Sequence, residues 1–183
     1  MTDDDIAKLK SQVTMTWSIA VAIFCAGGAI GGSFVGWAAD RFGRKGSLLL
    51  NNIFVIITVI LEALAKPTGI YELFIIGRLF IGINSGLNAG LAPMYLAEIS
   101  PMHLRGAVGT VYQLIITISI LVAGILGMQG LMGTPELWPY LFCLTIIPAI
   151  FQVVTLPFCP ESPKYLLLSK GKDMDAQRGK VSV

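Results

Sequence analysis

A few polar side chains interrupt otherwise apolar stretches, and they are the residues of this chain that could do chemistry. Gln113 and Thr117 lie four residues apart, as do Asn84 and Asn88. An unsatisfied amide in an apolar medium costs several kcal/mol, so each of these groups needs a partner. The asparagine pair favours hydrogen bonds between helices. The Gln113 amide, with two donors and an acceptor oxygen, suits a polyhydroxylated ligand as well as it suits a structural hydrogen bond.

A short charged step lies between two long apolar stretches. Between Gly36 and Gly46, the residues Asp40, Arg41, Arg44 and Lys45 place four charges within six positions. An ionised side chain at bilayer depth costs a few kcal/mol or more, so the step must lie at a membrane surface. Short loops rich in lysine and arginine stay on the cytoplasmic side, which predicts the surface.

Nothing in the sequence indicates an enzyme, a cofactor or a nucleic-acid partner. His103, the single histidine, has no metal-ligand companion nearby and no nucleophile with which to pair. The net charge of +2 is too small to indicate nucleic-acid binding. Cys25, Cys143 and Cys159 fall within or at the ends of apolar stretches and do not suggest a disulfide framework.

Composition indicates an all-α integral membrane protein. Hydrophobic residues make up 55% of the chain and charged residues 13%, against about 25% charged residues in soluble domains, and the mean hydropathy is +0.75. Stretches long enough to cross about 30 Å of hydrocarbon predict five helices, over residues 17–39, 47–65, 71–97, 107–128 and 137–158. We therefore expect a tail over residues 1–16, a five-helix transmembrane bundle over 17–158 and a second tail over 159–183.

The distribution of cations predicts the orientation of these helices. Placing alternate loops on one side leaves only Lys8, Lys10 and Lys66 on the other. Nine cations share the first side, namely Arg41, Arg44, Lys45, Arg105, Lys164, Lys170, Lys172, Arg178 and Lys180. This bias predicts an extracellular tail over residues 1–16 and a cytoplasmic tail over 159–183.

Glycines recur at helical spacing in two of the spans. The first span carries Gly27, Gly28, Gly31, Gly32 and Gly36, and the third carries Gly82, Gly86 and Gly90. Small residues four positions apart let two helix backbones approach closely in a membrane. Both spans are therefore predicted to lie inside a bundle, either as static packing surfaces or as surfaces that slide during a conformational cycle.

Three further motifs, together with the charged step, carry a resemblance to a known family. Gly77-Arg78-Leu79-x-x-Gly82 opens the third span. Pro93-x-Tyr95-x-x-Glu98-x-x-Pro101-x-x-x-Arg105-Gly106 joins the third span to the fourth, and Pro160-Glu161-Ser162-Pro163-Lys164 follows the fifth. Together they resemble the sugar porter family of the major facilitator superfamily, and most closely its facilitative glucose transporters.

The resemblance implies a part of a longer carrier. Such carriers have two six-helix halves that rock about a central sugar site, and this chain is similar to helices two to six of the amino-terminal half. The first helix and the second six-helix half would then be partners missing from the chain, together with a hexose and the lipid bilayer. The family is one of multi-pass membrane proteins, and the plasma membrane is its default location.

Two groups of site residues follow from the resemblance. Gln113 is similar to a glutamine that hydrogen-bonds sugar hydroxyls, and Ile116 and Ile120 to its apolar neighbours; together with Thr117 and Gly124 they share one helical stripe. The second group resembles a cytoplasmic charge network that latches the two halves together. Its members are Gly36, Asp40, Arg41, Gly43, Arg44, Lys45, Arg78, Glu98, Arg105, Glu161 and Lys164. Relatives usually carry arginine where Lys164 stands, and lysine cannot form a two-pronged pair with a carboxylate.

The sequence leaves three functions open. The first is facilitated transport of a hexose, with glucose foremost, by a carrier to which this chain contributes. The second is a truncated chain that transports nothing and acts as an assembly or interfering partner, because alternating access needs two bodies. The third is a proton-coupled sugar symporter. The proton-binding aspartate of such relatives lies on the first helix, which the resemblance implies is missing here, so the residues of this chain do not decide between the two kinds of transport. The apolar spans carry Glu62 and Glu98 near their ends rather than at the bilayer midplane.

Overall fold

The structure is a computed structural model that describes residues 3–128, 131–134 and 137–170. Lys172, Arg178 and Lys180, which contributed to the predicted orientation, lie outside these residues. Every regular element within the described residues is helical. In chain order they are α1 (Asp3–Ser33), α2 (Val35–Phe42), α3 (Arg44–Thr68), α4 (Tyr71–Ile99), α5 (Arg105–Leu126), α6 (Trp138–Cys143), α7 (Ile146–Thr155) with a 3₁₀ turn (Leu156–Phe158), and α8 (Pro163–Lys170).

Five segments of the described chain are long and apolar enough to cross a membrane, as the sequence predicts. They cover Lys10–Ser33, Arg44–Ala65, Tyr71–Ile99, Arg105–Leu126 and Tyr140–Phe158. The first and last of them differ in detail from the predicted spans. Helix α1 begins at Asp3, within the predicted tail, and ends at Ser33. The predicted first span ran on to residue 39. The Phe34 N–H donates to the Gly31 carbonyl at 3.1 Å, a 3₁₀-type bond that interrupts the helix.

The last predicted span is also interrupted, between α6 and α7. Proline lacks an amide hydrogen, and its ring clashes with the carbonyl four residues earlier. Pro148 therefore conflicts with a continuous helix at Leu144, and the break falls at Leu144 and Thr145. Tighter bonds appear there, including that from the Ile147 N–H to the Leu144 carbonyl at 3.1 Å.

Helix α4 is the centre of the bundle, with α1 packed on one side and α3 on the other. The α1–α4 contact is made by part of the predicted glycine set, whereas a Cβ on Gly32 or Gly36 would meet nothing within 4 Å. A Cβ on Gly27 would lie 2.5 Å from the Leu79 carbonyl oxygen, and one on Gly86 would lie 2.8 Å from the Gly32 nitrogen. The two backbones are therefore too close for any side chain at these positions, which confirms the predicted close approach.

Polar side chains join α3 to α4. The Asn51 side chain donates to the Asn84 carbonyl at 3.1 Å, and the Asn84 side chain donates to the Asn51 carbonyl at 2.9 Å. This confirms the predicted interhelical hydrogen bond of Asn84, whereas Asn88 bonds to Asn84 within the same helix. One interface of α4 is thus held by side-chain hydrogen bonds and the other by bare backbone.

Candidate functional site

The charged step forms a compact cluster around Arg44 at the start of α3. Its Nη2 donates to Glu98 Oε1 at 3.2 Å, and its Nε lies 2.9 Å from Glu98 Oε2 in an ion pair without hydrogen-bond geometry, so two guanidinium nitrogens contact the carboxylate. Arg44 is only 7% exposed, and a buried charge needs such a partner to offset its lost hydration. The end of α4 is therefore attached to the start of α3.

Gly43 is the single residue that separates α2 from α3. The sequence predicted a turn over residues 40–46, but α2 continues to Phe42 and α3 begins at Arg44. Gly43 has φ +79°, a left-handed conformation that glycine adopts without steric cost. A Cβ here would also lie 2.8 Å from Glu161 Oε2 and 2.9 Å from the Tyr165 ring. A glycine is required for both reasons.

The segment after α7 closes over this junction. Glu161 Oε1 accepts hydrogen bonds at 3.0 Å from the backbone N–H groups of Lys45 and Ser162. Lys45 Nζ in turn donates to the carbonyls of Pro157 and Cys159 at 2.8 Å and 2.7 Å. A carboxylate that accepts free N–H groups in the first turn of a helix is a favourable arrangement. The start of α3 is thereby fastened to the end of the fifth span.

Glu98 also joins the segment after α7 to α4. The fully buried Ser162 hydroxyl donates to Glu98 Oε2, and Lys164 Nζ lies 3.9 Å from Glu98 Oε1. One turn earlier on α4, the Tyr95 hydroxyl donates to the Pro160 carbonyl at 2.6 Å. Lys164 makes the weakest of these contacts, since its side chain is exposed and its distance is long.

Several predicted members of the network do not join this cluster. Asp40 reaches Arg44 only at 3.9 Å with an exposed side chain, and Gly36 is exposed with open space around it. Arg41 and Arg105 are exposed and form no ion pair with any residue in the described part of the chain. We name the residues that do meet, Arg44, Lys45, Glu98, Glu161 and Ser162, the Arg44–Glu98 cluster.

Arg78 lies at the opposite end of α4, which corrects its predicted place in the network. It precedes Glu98 by 20 residues on the same helix, or about 30 Å at 1.5 Å per residue. Its partner there is Glu62 of α3, with Arg78 Nε 3.5 Å from Glu62 Oε1. The guanidinium carbon also lies 4.0 Å from the centre of the Phe142 ring. Arg78 thus belongs to a second, separate charge pair.

The predicted sugar-binding stripe lies on α5, a helix with no buried residue. Gln113 and Ile120 are exposed and Ile116 is half-buried. A Cβ added at Gly124 would meet nothing within 4 Å. Within the described residues, this face of α5 is open, and the Gln113 amide is free to meet a ligand or another helix.

Sequence reasoning missed three side chains that the structure makes central. Ser162 and Tyr95 lie inside motifs that were recognised, yet their hydroxyls were not singled out. Glu62 was noted only as a charge near the end of a span. The signal in the sequence was its isolation, because a lone carboxylate in an apolar helix needs a cation from elsewhere in the fold.

Metal binding has no support in the described residues. No group of three histidine, cysteine, aspartate or glutamate side chains is placed there to hold an ion. The groups that the structure brings together around Arg44 offer hydrogen bonds and ion pairs. Such groups can bind a polar solute or hold one conformation against another.

Comparisons with known proteins identify relatives over nearly the whole chain. Residues 3–182 match the family model described as sugar (and other) transporter. The chain is 45% identical over 168 residues to facilitated glucose transporter protein 1 of Caenorhabditis elegans, which covers 92% of this chain and 33% of that protein. It is 51% identical over 167 residues to solute carrier family 2, facilitated glucose transporter member 5 of Equus caballus, over 91% of this chain and 33% of that protein.

Solved structures give the same picture. The partially occluded, inward-open xylose transporter XylE from E. coli matches with a TM-score of 0.82 and 28% identity, over 91% of this chain and 43% of that one. A structure of the same major facilitator symporter bound to 6-bromo-6-deoxy-D-glucose matches with a TM-score of 0.75. The chain spans about a third of the length of the glucose transporters that it matches in sequence. The predicted fold, an all-α membrane protein with helices of a major facilitator bundle, is confirmed.

Proposed function

This chain belongs to the sugar (and other) transporter family, and from that premise we propose that it forms part of a carrier that moves a hexose across a membrane by alternating access. The observation that carries the proposal is the similarity of nine-tenths of the chain to facilitated glucose transporters. Glucose is the hexose that these names favour. The rest of the carrier would supply a preceding helix and a second six-helix half.

In this proposal the open face of α5 contributes to the sugar site. The exposed Gln113 amide would hydrogen-bond sugar hydroxyls, and Ile116 and Ile120 would pack against the apolar face of the ring. Positions 113, 116, 117, 120 and 124 lie within one stripe of the helix. The open space at Gly124 supports this, because it leaves room for a ligand beside the stripe.

The Arg44–Glu98 cluster would act as a latch in the conformational cycle of the carrier. It joins α3, α4 and the segment after α7 through one buried arginine and two carboxylates. Several charged contacts made in one state and broken in another can bias an equilibrium by a few kcal/mol. The exposed cations Arg41 and Arg105 would remain available to a second half of the carrier.

We further propose a plasma-membrane location with the latch on the cytoplasmic side. The support is the cation-rich step at Arg41, Arg44 and Lys45, since such loops stay cytoplasmic. Residues 1–16 would then begin outside the cell and residues 159–183 would lie inside it. The five spans would be embedded in the lipid bilayer.

A chimera tests the sugar site. This chain would replace the matching segment of the nematode facilitated glucose transporter, and glucose uptake would be measured in cells that lack their own hexose carriers. The Gln113→Ala variant is expected to reduce uptake about tenfold, because losing one hydrogen bond costs about 1 to 1.5 kcal/mol.

The matched control is Ser119→Ala on the same helix. Ser119 lies outside the stripe, and its hydroxyl already donates to the Ile115 carbonyl at 2.8 Å. Uptake by this variant should stay near that of the parent chimera at equal surface expression. Equal uptake by the Gln113→Ala and Ser119→Ala variants would remove Gln113 from the sugar site.

A further inference from the structure

The ion pair at the far end of the α3–α4 interface is used by neither the latch nor the sugar site. Glu62 lies within the membrane-length part of α3 and is 2% exposed. Its Oε1 is 3.5 Å from Arg78 Nε and has no hydrogen-bond partner among the described residues. A single long contact of this kind offsets little of the cost of burying a carboxylate.

The two partners are held in unequal ways. The Arg78 guanidinium carbon lies 4.8 Å from the centre of the Phe74 ring and 4.0 Å from that of Phe142, so two aromatic faces hold the cation. Glu62 instead packs against bare backbone, since a Cβ on Gly77 would lie 3.0 Å from its Cγ. Arg78 would therefore keep its aromatic contacts if Glu62 lost its charge.

A cavity of about 290 Å³ borders the Arg78 side of this pair, and Glu62 is not among the residues that line it. It lies between α1, α4 and α6 and is lined by Trp17, Ala20, Val21, Phe24, Arg78 and Phe142. Of the described residues that line it, only Arg78 is ionisable, so the guanidinium is their one charged group. The cavity therefore leaves space beside the Arg78 guanidinium into which its side chain can move.

Among the residues that the structure describes, few other ionisable groups lie near Glu62. From α6, the Cys143 thiol lies within electrostatic reach of the carboxylate. From α4, Arg78 faces it directly, whereas Glu72 in the first turn is exposed. From α1, the residues that line the cavity carry no charge. Lys66 follows four residues later on α3, with a side chain outside the described part of the chain.

We propose that Glu62 is a proton-binding site within the membrane, and that the bound proton releases Arg78 so that hexose transport responds to pH. The transport part rests on the function proposed above. The step is an acid–base reaction without redox change. A hydronium ion of the aqueous phase transfers its proton to a Glu62 carboxylate oxygen and becomes water, the ion pair is lost, and Arg78 keeps its positive charge against the two rings.

The consequence for the fold follows from the two ends of α3. The Arg44–Glu98 cluster fixes one end, and the Glu62–Arg78 pair lies 18 residues further along α3, or about 27 Å away. Protonation removes the charge contact at the second end alone. Among the described residues, this end of α3 then keeps only uncharged contacts with α4, including the hydrogen bond from the Thr58 hydroxyl to the Gly77 carbonyl at 3.3 Å.

Proton binding can be measured on the 183-residue chain itself. The chain would be reconstituted in phospholipid nanodiscs, and infrared difference spectra recorded as the pH falls from about 7.5 to about 5.5, a range that lies above the titration of ordinary exposed carboxylates near about 4. We expect the band of a protonated carboxyl group to appear in the parent chain and in the exposed-site control Glu72→Gln. It should be absent from Glu62→Gln and present, at a shifted frequency, in Glu62→Asp. An unchanged band in a folded Glu62→Gln variant would overturn the proposal.

The link to transport is tested separately in the chimera. Glucose uptake should change at least twofold over the same pH range in the parent and in Glu72→Gln, and should be independent of pH in Glu62→Gln. An identical pH profile in the parent and Glu62→Gln would overturn the link. If no chimera transports glucose, the proposed function fails, and the infrared spectra still decide whether Glu62 binds a proton.

Discussion

Arg44 is the residue on which the charged cluster depends most. Its ion pair with Glu98 is buried, whereas its neighbour Arg41 is exposed and forms no ion pair with the described residues. Two arginines three positions apart in sequence therefore have different roles. Arg41 can serve simply as a positive charge that orients the chain in the membrane, but the burial of Arg44 requires a specific partner.

Replacing Arg44 should therefore destabilise the chain far more than replacing Arg41. In Arg44→Ala the Glu98 carboxylate is left partly buried without its cation, and we expect the free energy of unfolding to fall by about 3 to 5 kcal/mol. Arg41→Ala should change it by less than about 0.5 kcal/mol. Denaturant unfolding of the reconstituted chain, followed by circular dichroism, measures both. Equal unfolding midpoints for the two variants would contradict a structural role for the Arg44–Glu98 pair.

Sequence reasoning reached part of this site. Arg44, Lys45, Glu98 and Glu161 were predicted from their motifs, and the structure brings them together. Arg78 was assigned to the same network because its motif is also charged, and this was wrong because a helix of 29 residues separates the two ends. The pairing of Arg78 with Glu62 depends on how α3 packs on α4, which no local spacing specifies.

Helices α3 and α4 carry complementary charges at both ends of their interface. Helix α3 has Arg44 at its start and Glu62 near its end, while α4 has Arg78 near its start and Glu98 near its end. Antiparallel packing places each cation beside a carboxylate. A shift of one helical turn, about 5.4 Å, would lose both pairs, so the charges specify the register of the two helices.

The α1–α4 interface has no such charges and depends on glycine. A Cβ on Gly86 would lie 2.8 Å from the Gly32 nitrogen, whereas one on Gly32 itself would meet nothing within 4 Å. Gly86→Ala should push α1 away from α4 and lower the free energy of unfolding by about 1 to 3 kcal/mol. Gly32→Ala is the matched control and should be neutral or slightly stabilising, because alanine favours helix. Equal stability of the two variants would mean that the backbones do not approach as closely as described.

Sequence patterns were more reliable for the existence of helices than for their interruptions. Five apolar stretches predicted five membrane-length segments, because apolar length is a local property. The interruptions at Phe34 and Leu144 were not predicted. The second had a local signal, Pro148, whose ring excludes the carbonyl of residue 144 from a regular helix. For the interruption at Phe34 the sequence offers only two adjacent glycines as a signal. Such glycines equally indicate close helix packing, so they do not predict a break.

At the scale of the whole molecule, the helices differ in how far they are covered. Helix α4 lies between α1 and α3, while α5 has no buried residue in the described chain. The chain spans about a third of the length of its relatives in sequence. The uncovered stripe of α5 carries Gln113, so the proposed sugar contact lies on a face that the rest of a carrier would close.

Stereoselective uptake tests the transport function most directly. The chimera of this chain with the nematode transporter would be expressed in cells without hexose carriers, beside the 183-residue chain alone and an empty-vector control. We predict saturable uptake of D-glucose by the chimera, little uptake of L-glucose, and none above background by the 183-residue chain, because one half-bundle cannot provide alternating access. A chimera that reaches the cell surface at normal levels and takes up D-glucose no faster than L-glucose would contradict the proposal that this chain forms part of a hexose carrier.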